Sequence, residues 1–130
     1  MTGTGCILVC VTRQVSCERL IRRGSDLAHQ AGAALDILHV AANGTNLLGN
    51  PSEGEALDYL FTTAKEHGAE LSVLRNDNVA ETIARIAREH HAQAVILGES
   101  RQNSKEDGGV IWQLRALLPD VPVHIIASLE

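Results

Sequence analysis

Apolar residues fall in two kinds of run along this chain. Short unbroken runs, Cys6-Ile7-Leu8-Val9-Cys10-Val11 and Ala94-Val95-Ile96-Leu97, fit strands buried on both faces. Leu35-Asp36-Ile37-Leu38-His39-Val40 predicts another strand, Leu71-Ser72-Val73-Leu74 a weakly alternating edge strand, and residues 121–127 a last one. Between the strands, apolar positions recur at helical spacing. Leu20, Ile21, Gly24, Leu27, Ala28 and Ala31 form one face of a first helix, with Ser16 as its expected N-cap and Gly32 as its stop. A capping box at Ser52 and Glu55 opens a second helix expected to bury Leu57, Leu60, Phe61 and Ala64 before Gly68 closes it. Asn78 and Glu81 predict a second capping box, ahead of Val79, Ile83, Ile86 and Ala87. Residues 110, 111, 114, 117 and 118 carry the fourth helix, which Pro119 ends.

Strand and helix thus alternate through the chain. That order predicts a single α/β domain over residues 1–130, with residues 1–5 expected as a disordered N-terminus. Parallel neighbours need crossover connections, which place helices on both faces of an open sheet. The two most apolar strands belong at its centre, giving the five-stranded order 3-2-1-4-5 with a switch point between strands 1 and 4. Ligands in such sheets sit at the switch point, beyond the carboxyl ends of the strands. The expected crevice is walled by Thr12 to Val15 and by Gly98 to Gly109. The polar run after Gly98 ends in Gly108-Gly109 at a helix start, where unpaired N–H groups and the helix dipole favour an anion. Arg13 and Arg101 on that rim would make an electropositive mouth.

Composition narrows the partners. The chain has 130 residues and a formal net charge of −5, and its aromatics are only Tyr59, Phe61 and Trp112. An acidic surface without stacking platforms argues against nucleic acid as a partner. No apolar run is long enough to insert into a bilayer and no signal peptide opens the chain, so a cytoplasmic location is expected. Cys6, Cys10 and Cys17 lack zinc-type spacing and are expected to be reduced. Cys6 and Cys10 share one strand face and read as core. Cys17 sits near a helix start that favours thiolate, yet no resolving partner or base is visible, so an ordinary part-buried cysteine is the simpler account. His39 reads as a satisfied core histidine. His90-His91 reads as a helix C-terminal cap, because adjacent helical residues point apart and no third ligand is in view; no metal is expected.

Several segments together carry a family resemblance. The first strand, Ile37-Leu38-His39-Val40, Leu27-Ala28 with Ala31-Gly32-Ala33, and the Gly108-Gly109 helix start resemble the universal stress protein family over nearly the whole chain. Leu20-Ile21-Arg22-Arg23-Gly24, Val79 to Ala84 with Ala87 to His90, and Gly98-Glu99-Ser100-Arg101 are similar to the universal-stress-like cytoplasmic domain of Kdp potassium-sensing histidine kinases. ATP-binding members place an acidic residue after strand 1, near the ribose; Thr12 stands there. The valine that ends strand 2 meets adenine, which implies Val40. Their phosphate loop runs Gly-x2-Gly, nine residues, then Gly-Ser or Gly-Thr. Here Gly98 matches, Arg101 replaces the second glycine, and Gly108-Gly109 comes early without the hydroxyl. The resemblance therefore implies a degenerate site formed by Thr12, Arg13, Val40, Gly98, Ser100, Arg101, Gly108 and Gly109. Its implied ligand is ATP, AMP or a cyclic dinucleotide, none of them required.

A catalytic reading finds no support in the residues. No Walker loop, nucleophile elbow or Ser-Gly-Gly loop occurs, and Asp77 has no carboxylate partners for a Mg²⁺-dependent phospho-acceptor. The expectation is a non-catalytic signalling module, with no enzyme activity, that dimerises through strand 121–127 and serves the kinase domains of a longer chain. The alternatives are a ligand-free interaction or dimerisation domain, and an ATP-hydrolysing stress protein.

Overall fold

Five parallel strands form one sheet: β1 (Cys6–Cys10), β2 (Ala34–Ala41), β3 (Glu70–Arg75), β4 (Ala92–Gly98) and β5 (Val123–Ile126). The computed structural model that shows them describes residues 5–98 and 109–126. Their order is β3-β2-β1-β4-β5, as expected from placing the two most apolar strands at the centre. Helices α1 (Gln14–Ala31), α2 (Glu53–Glu66), α3 (Val79–Glu89) and α4 (Val110–Leu117) make the crossovers.

The pleat of β1 divides the core. Ile7, Val9 and Val11 pack with Cys17, Leu20 and Ile21 of α1 and with Ala56 and Leu60 of α2. Cys6, Leu8 and Cys10 pack with Ile83, Ala84 and Ala87 of α3 and with Leu114 of α4. Each strand residue thus serves one layer, as a period of two requires. Gly24 lets α1 lie close on the sheet: a Cβ there would stand 2.2 Å from Val9 Cγ2.

Several local expectations are corrected. Helix α1 begins at Gln14 with extended Arg13 as N-cap (φ −131°, ψ 143°), not at Ser16. The earlier start brings Cys17 onto the inner stripe with Leu20, Ile21 and Gly24, and burial of that side chain rivals the ~1 kcal/mol of a serine cap. Phe61 is 62% exposed rather than buried. The inner face of α2 is Ala56, Leu60, Thr63 and Ala64, and Phe61 lies about 100° round from Leu60. The Ser52 box is present in its first half, with the Glu55 N–H donating to Ser52 Oγ at 3.3 Å. Asn78 makes no side-chain cap; its own N–H donates to Asn76 Oδ1 at 2.8 Å, and Thr82 Oγ1 donates to its carbonyl. Before α2, Leu47–Gly49 forms a 3-10 turn that buries Leu47 and Leu48. Strand β5 is an edge, and its Val123, Ile125 and Ile126 are half-buried against the core.

Candidate functional site

The parallel register brings the described ones among the expected site residues to one end of the sheet. Cys10 pairs with Leu38 on one side and Leu97 on the other, so Thr12, Val40 and Gly98 all lie at or past the carboxyl ends of the central strands. Thr12 and Arg13 are exposed there and Val40 is buried at the end of β2. Helix α4 returns the chain from this end to the start of β5, so its first turn, capped by buried Gly109, faces the same rim. Ser100, Arg101 and Gly108 lie outside the described residues. A Cβ on Gly98 would make only ordinary contact with Leu20 Cδ1, at 3.4 Å, so packing does not require a glycine there.

A network unseen in the sequence fixes the outer part of this rim. The His39 side chain lies in the core, only 3% exposed, with Nδ1 2.8 Å from the Val11 carbonyl oxygen and Nε2 3.0 Å from the Leu48 nitrogen. The carbonyl must accept and the Leu48 N–H must donate, so the proton sits on Nδ1 and the ring is neutral. Burial lowers its pKa, against the opposing effect of the Val11 hydrogen bond. The ring thus ties the end of β1 to Leu48, whose φ of 56° is left-handed. Arg75 donates to the Thr45 carbonyl at 2.9 Å and pairs with Glu53 at 2.7 Å, while the Asn43 N–H donates to Asp77 Oδ1. Asp77 is therefore a loop brace.

The cysteines and His90 behave less uniformly. Cys17 is fully buried and its Sγ donates to the Arg13 carbonyl; burial pushes its thiol up to about 12, overriding the helix dipole. Burial likewise raises Cys10. His90 is the C-cap of α3, but its ring also reaches the sheet, with Nδ1 2.7 Å from Asp36 Oδ2. Cys6 also hydrogen-bonds to Asp36, and burial followed by the Asp36 charge pushes its thiol up to about 12. A third potential ligand beside His90 therefore exists, contrary to the sequence reading. The one local signal for it was an aspartate inside a largely apolar, buried strand.

Two cavities are lined by described residues. One of about 360 Å³ runs between α3 and α4, from Asn76 and Asn78 just past the carboxyl end of β3 to Arg88 and Leu117. The other, about 460 Å³, opens at the amino end of the sheet beside Cys6, Asp36, Glu70, His90 and His91. No helix of the described residues is long and apolar enough to cross a membrane.

Known proteins resemble the chain at two levels. A sensor protein KdpD of Synechocystis is 32% identical over 125 residues, which cover 94% of this chain and 33% of that protein. The chain thus spans about a third of this curated relative. The universal stress protein from Archaeoglobus fulgidus in complex with dAMP shares the fold at 21% identity and a TM-score of 0.67, covering 96% of this chain and 99% of the other. A universal stress protein in complex with cAMP does so at 14% identity and 0.62, covering 98% and 99%. The universal stress protein family matches residues 5–126, and with the strand order and the KdpD likeness this places the chain in that family.

Proposed function

We propose that this domain is a non-catalytic regulatory module, the cytoplasmic sensor region of a potassium-responsive histidine kinase, with a degenerate nucleotide site at the carboxyl rim. The observation that carries this reading is the match of nearly the whole chain to one third of a sensor protein. A part of that size supplies a binding or docking function to the rest. The ligand class follows from the rim and from the fold relatives solved with dAMP and cAMP. Thr12, Arg13, Val40, Gly98 and Gly109 would hold the nucleotide, together with Ser100, Arg101 and Gly108. Adenine would lie by Val40 and the phosphates by the first turn of α4, whose N–H groups lack intrahelical partners. Dimerisation through the outer edge of β5 would cover its unpaired backbone groups.

A thermal-shift screen with ATP, AMP, cAMP and a cyclic dinucleotide tests the reading. A ligand at a hundredfold excess over its Kd stabilises by roughly 2.7 kcal/mol. For a chain of this length that raises the melting temperature by about 10 °C. No shift with any nucleotide at millimolar concentration overturns the nucleotide site and favours a ligand-free docking domain, the reading that the missing carboxylate at Thr12 supports. Release of phosphate from ATP would overturn the non-catalytic assignment.

A further inference from the structure

The second cluster of chemistry lies at the other end of the sheet and owes nothing to the nucleotide reading. Asp36 stands on β2, one strand from the centre, and is only 7% exposed. A carboxylate in that position carries a desolvation cost that a leucine would avoid, and it persists only with partners. Those partners come from two other elements: Cys6 opens β1 and His90 caps α3. Asp36 and Cys6 share the sheet face that α3 covers, so all three side chains converge on one point. A sulfur, a ring nitrogen and a carboxylate oxygen there lie within 4.8 Å of one another.

We propose that Cys6, Asp36 and His90 form a binding site for a thiophilic divalent ion of the zinc class, with water from the adjoining cavity as the fourth ligand. A tetrahedral ion with Zn–S near 2.3 Å and Zn–N and Zn–O near 2.0 Å requires ligand atoms roughly 3.3–3.6 Å apart. The Asp36–His90 separation of 2.7 Å must therefore open by about half an ångström, a side-chain adjustment. The mixed donor set selects the ion. Calcium and magnesium take oxygen ligands and would leave the thiol unused, whereas zinc and cobalt accept sulfur, nitrogen and oxygen together. The cavity of about 460 Å³ supplies a path of entry.

Binding is proton-coupled. The metal–sulfur bond forms as the Cys6 S–H bond breaks, and that proton leaves to solvent. The proton that His90 Nδ1 shares with Asp36 moves to Nε2 or to solvent, freeing Nδ1 for the ion. Affinity accordingly rises with pH.

Titration of the reduced, chelator-treated chain with Co²⁺ tests the site. The expected result is one equivalent bound per chain, with a near-ultraviolet thiolate-to-cobalt band, visible bands of tetrahedral intensity, and displacement by Zn²⁺. Cys6→Ser abolishes the thiolate band, and His90→Gln weakens binding at least about tenfold, while Cys10→Ser and Cys17→Ser change neither. Should Cys6→Ser fold poorly, the wild-type chain still decides the matter: Zn²⁺ raises its melting temperature and releases protons on binding. Absence of the thiolate band in the wild type, or unchanged binding in Cys6→Ser and His90→Gln, overturns the proposal. Asp36 would then be a structural acceptor for two hydrogen bonds.

Discussion

At the carboxyl end of the sheet the polar groups of interest sit on loops; at the amino end they sit on the strands and on a helix cap. Thr12 and Arg13 are exposed at the first end, while Cys6 and Asp36 are buried at the second. The two histidines sharpen the contrast. His39 is closed off, with both ring nitrogens engaged by backbone groups. His90 is part-buried, meets a carboxylate and borders a cavity. A neutral histidine held by backbone is a strut. One held by a carboxylate and a neighbouring thiol has ligand chemistry available.

The largest effect is expected from breaking the strut. His39→Leu leaves the Val11 carbonyl and the Leu48 N–H without their partner inside the core. At 1–3 kcal/mol for each orphaned group, the loss should be about 3 kcal/mol. Chemical denaturation measures it, and amide exchange at Leu48 should quicken more than at β4. An unchanged Leu48 amide would mean that the 3-10 turn holds without the ring.

The amino end has its own steric keystone. Gly5 has a φ of 82°, and a Cβ there would stand 2.0 Å from the His91 carbonyl oxygen. Left-handed strain and that clash together should make Gly5→Ala cost roughly 2 kcal/mol. Because His91 follows the cap that aims His90, the same substitution should weaken Co²⁺ binding. Destabilisation with full Co²⁺ affinity would uncouple the N-terminal backbone from the cluster.

The two ends also differ in how far the sequence reveals them. The described part of the carboxyl rim was legible because its parts are local. A buried strand, a short link and a helix start can each be found in a window of a dozen residues, and the parallel rule brings them together. His39 was legible as a core residue from its place in β2, but its partner Leu48 was not, since nothing in Asn46-Leu47-Leu48-Gly49 announces a buried turn. The amino-end cluster joins residues 6, 36 and 90, and sequence order contains no trace of that meeting. Strand register and the lie of α3 decide it. The misreading of Phe61 has a related cause. Helical spacing marks a stripe, but only packing against β3 and the 3-10 turn decides whether position 61 or 63 completes it.

A smaller effect appears with pH. Burial lowers the pKa of His39 in the folded chain below its unfolded value of 6.5. The unfolded chain therefore binds the proton more readily. The stability linked to this neutral ring is complete above pH 6.5 and falls as the medium is acidified toward the folded pKa. The slope for one group cannot exceed about 1.4 kcal/mol per pH unit. Comparing the wild type with His39→Leu between pH 7.5 and 5 isolates it from the other histidines. The destabilisation by His39→Leu should shrink toward acid; a constant gap would contradict a buried neutral ring.

The smallest change in stability should come from Thr12→Asp, and it tests the carboxyl rim most directly. Thr12 is exposed just past β1, so its replacement should move the folding free energy by less than about 0.5 kcal/mol. It also restores the carboxylate that the family's ATP-binding members place near the ribose. A carboxylate accepting hydrogen bonds from the ribose hydroxyls at a partly solvated rim is worth about 1 kcal/mol, or roughly fivefold in affinity. The gain should appear with a ribonucleotide and vanish with its 2′,3′-dideoxy analogue, since only the former has the hydroxyls. A gain of equal size with both would place the carboxylate away from the sugar. A loss with both would mean that phosphate, not ribose, lies nearest β1, and the ligand would then run across the rim in the opposite sense.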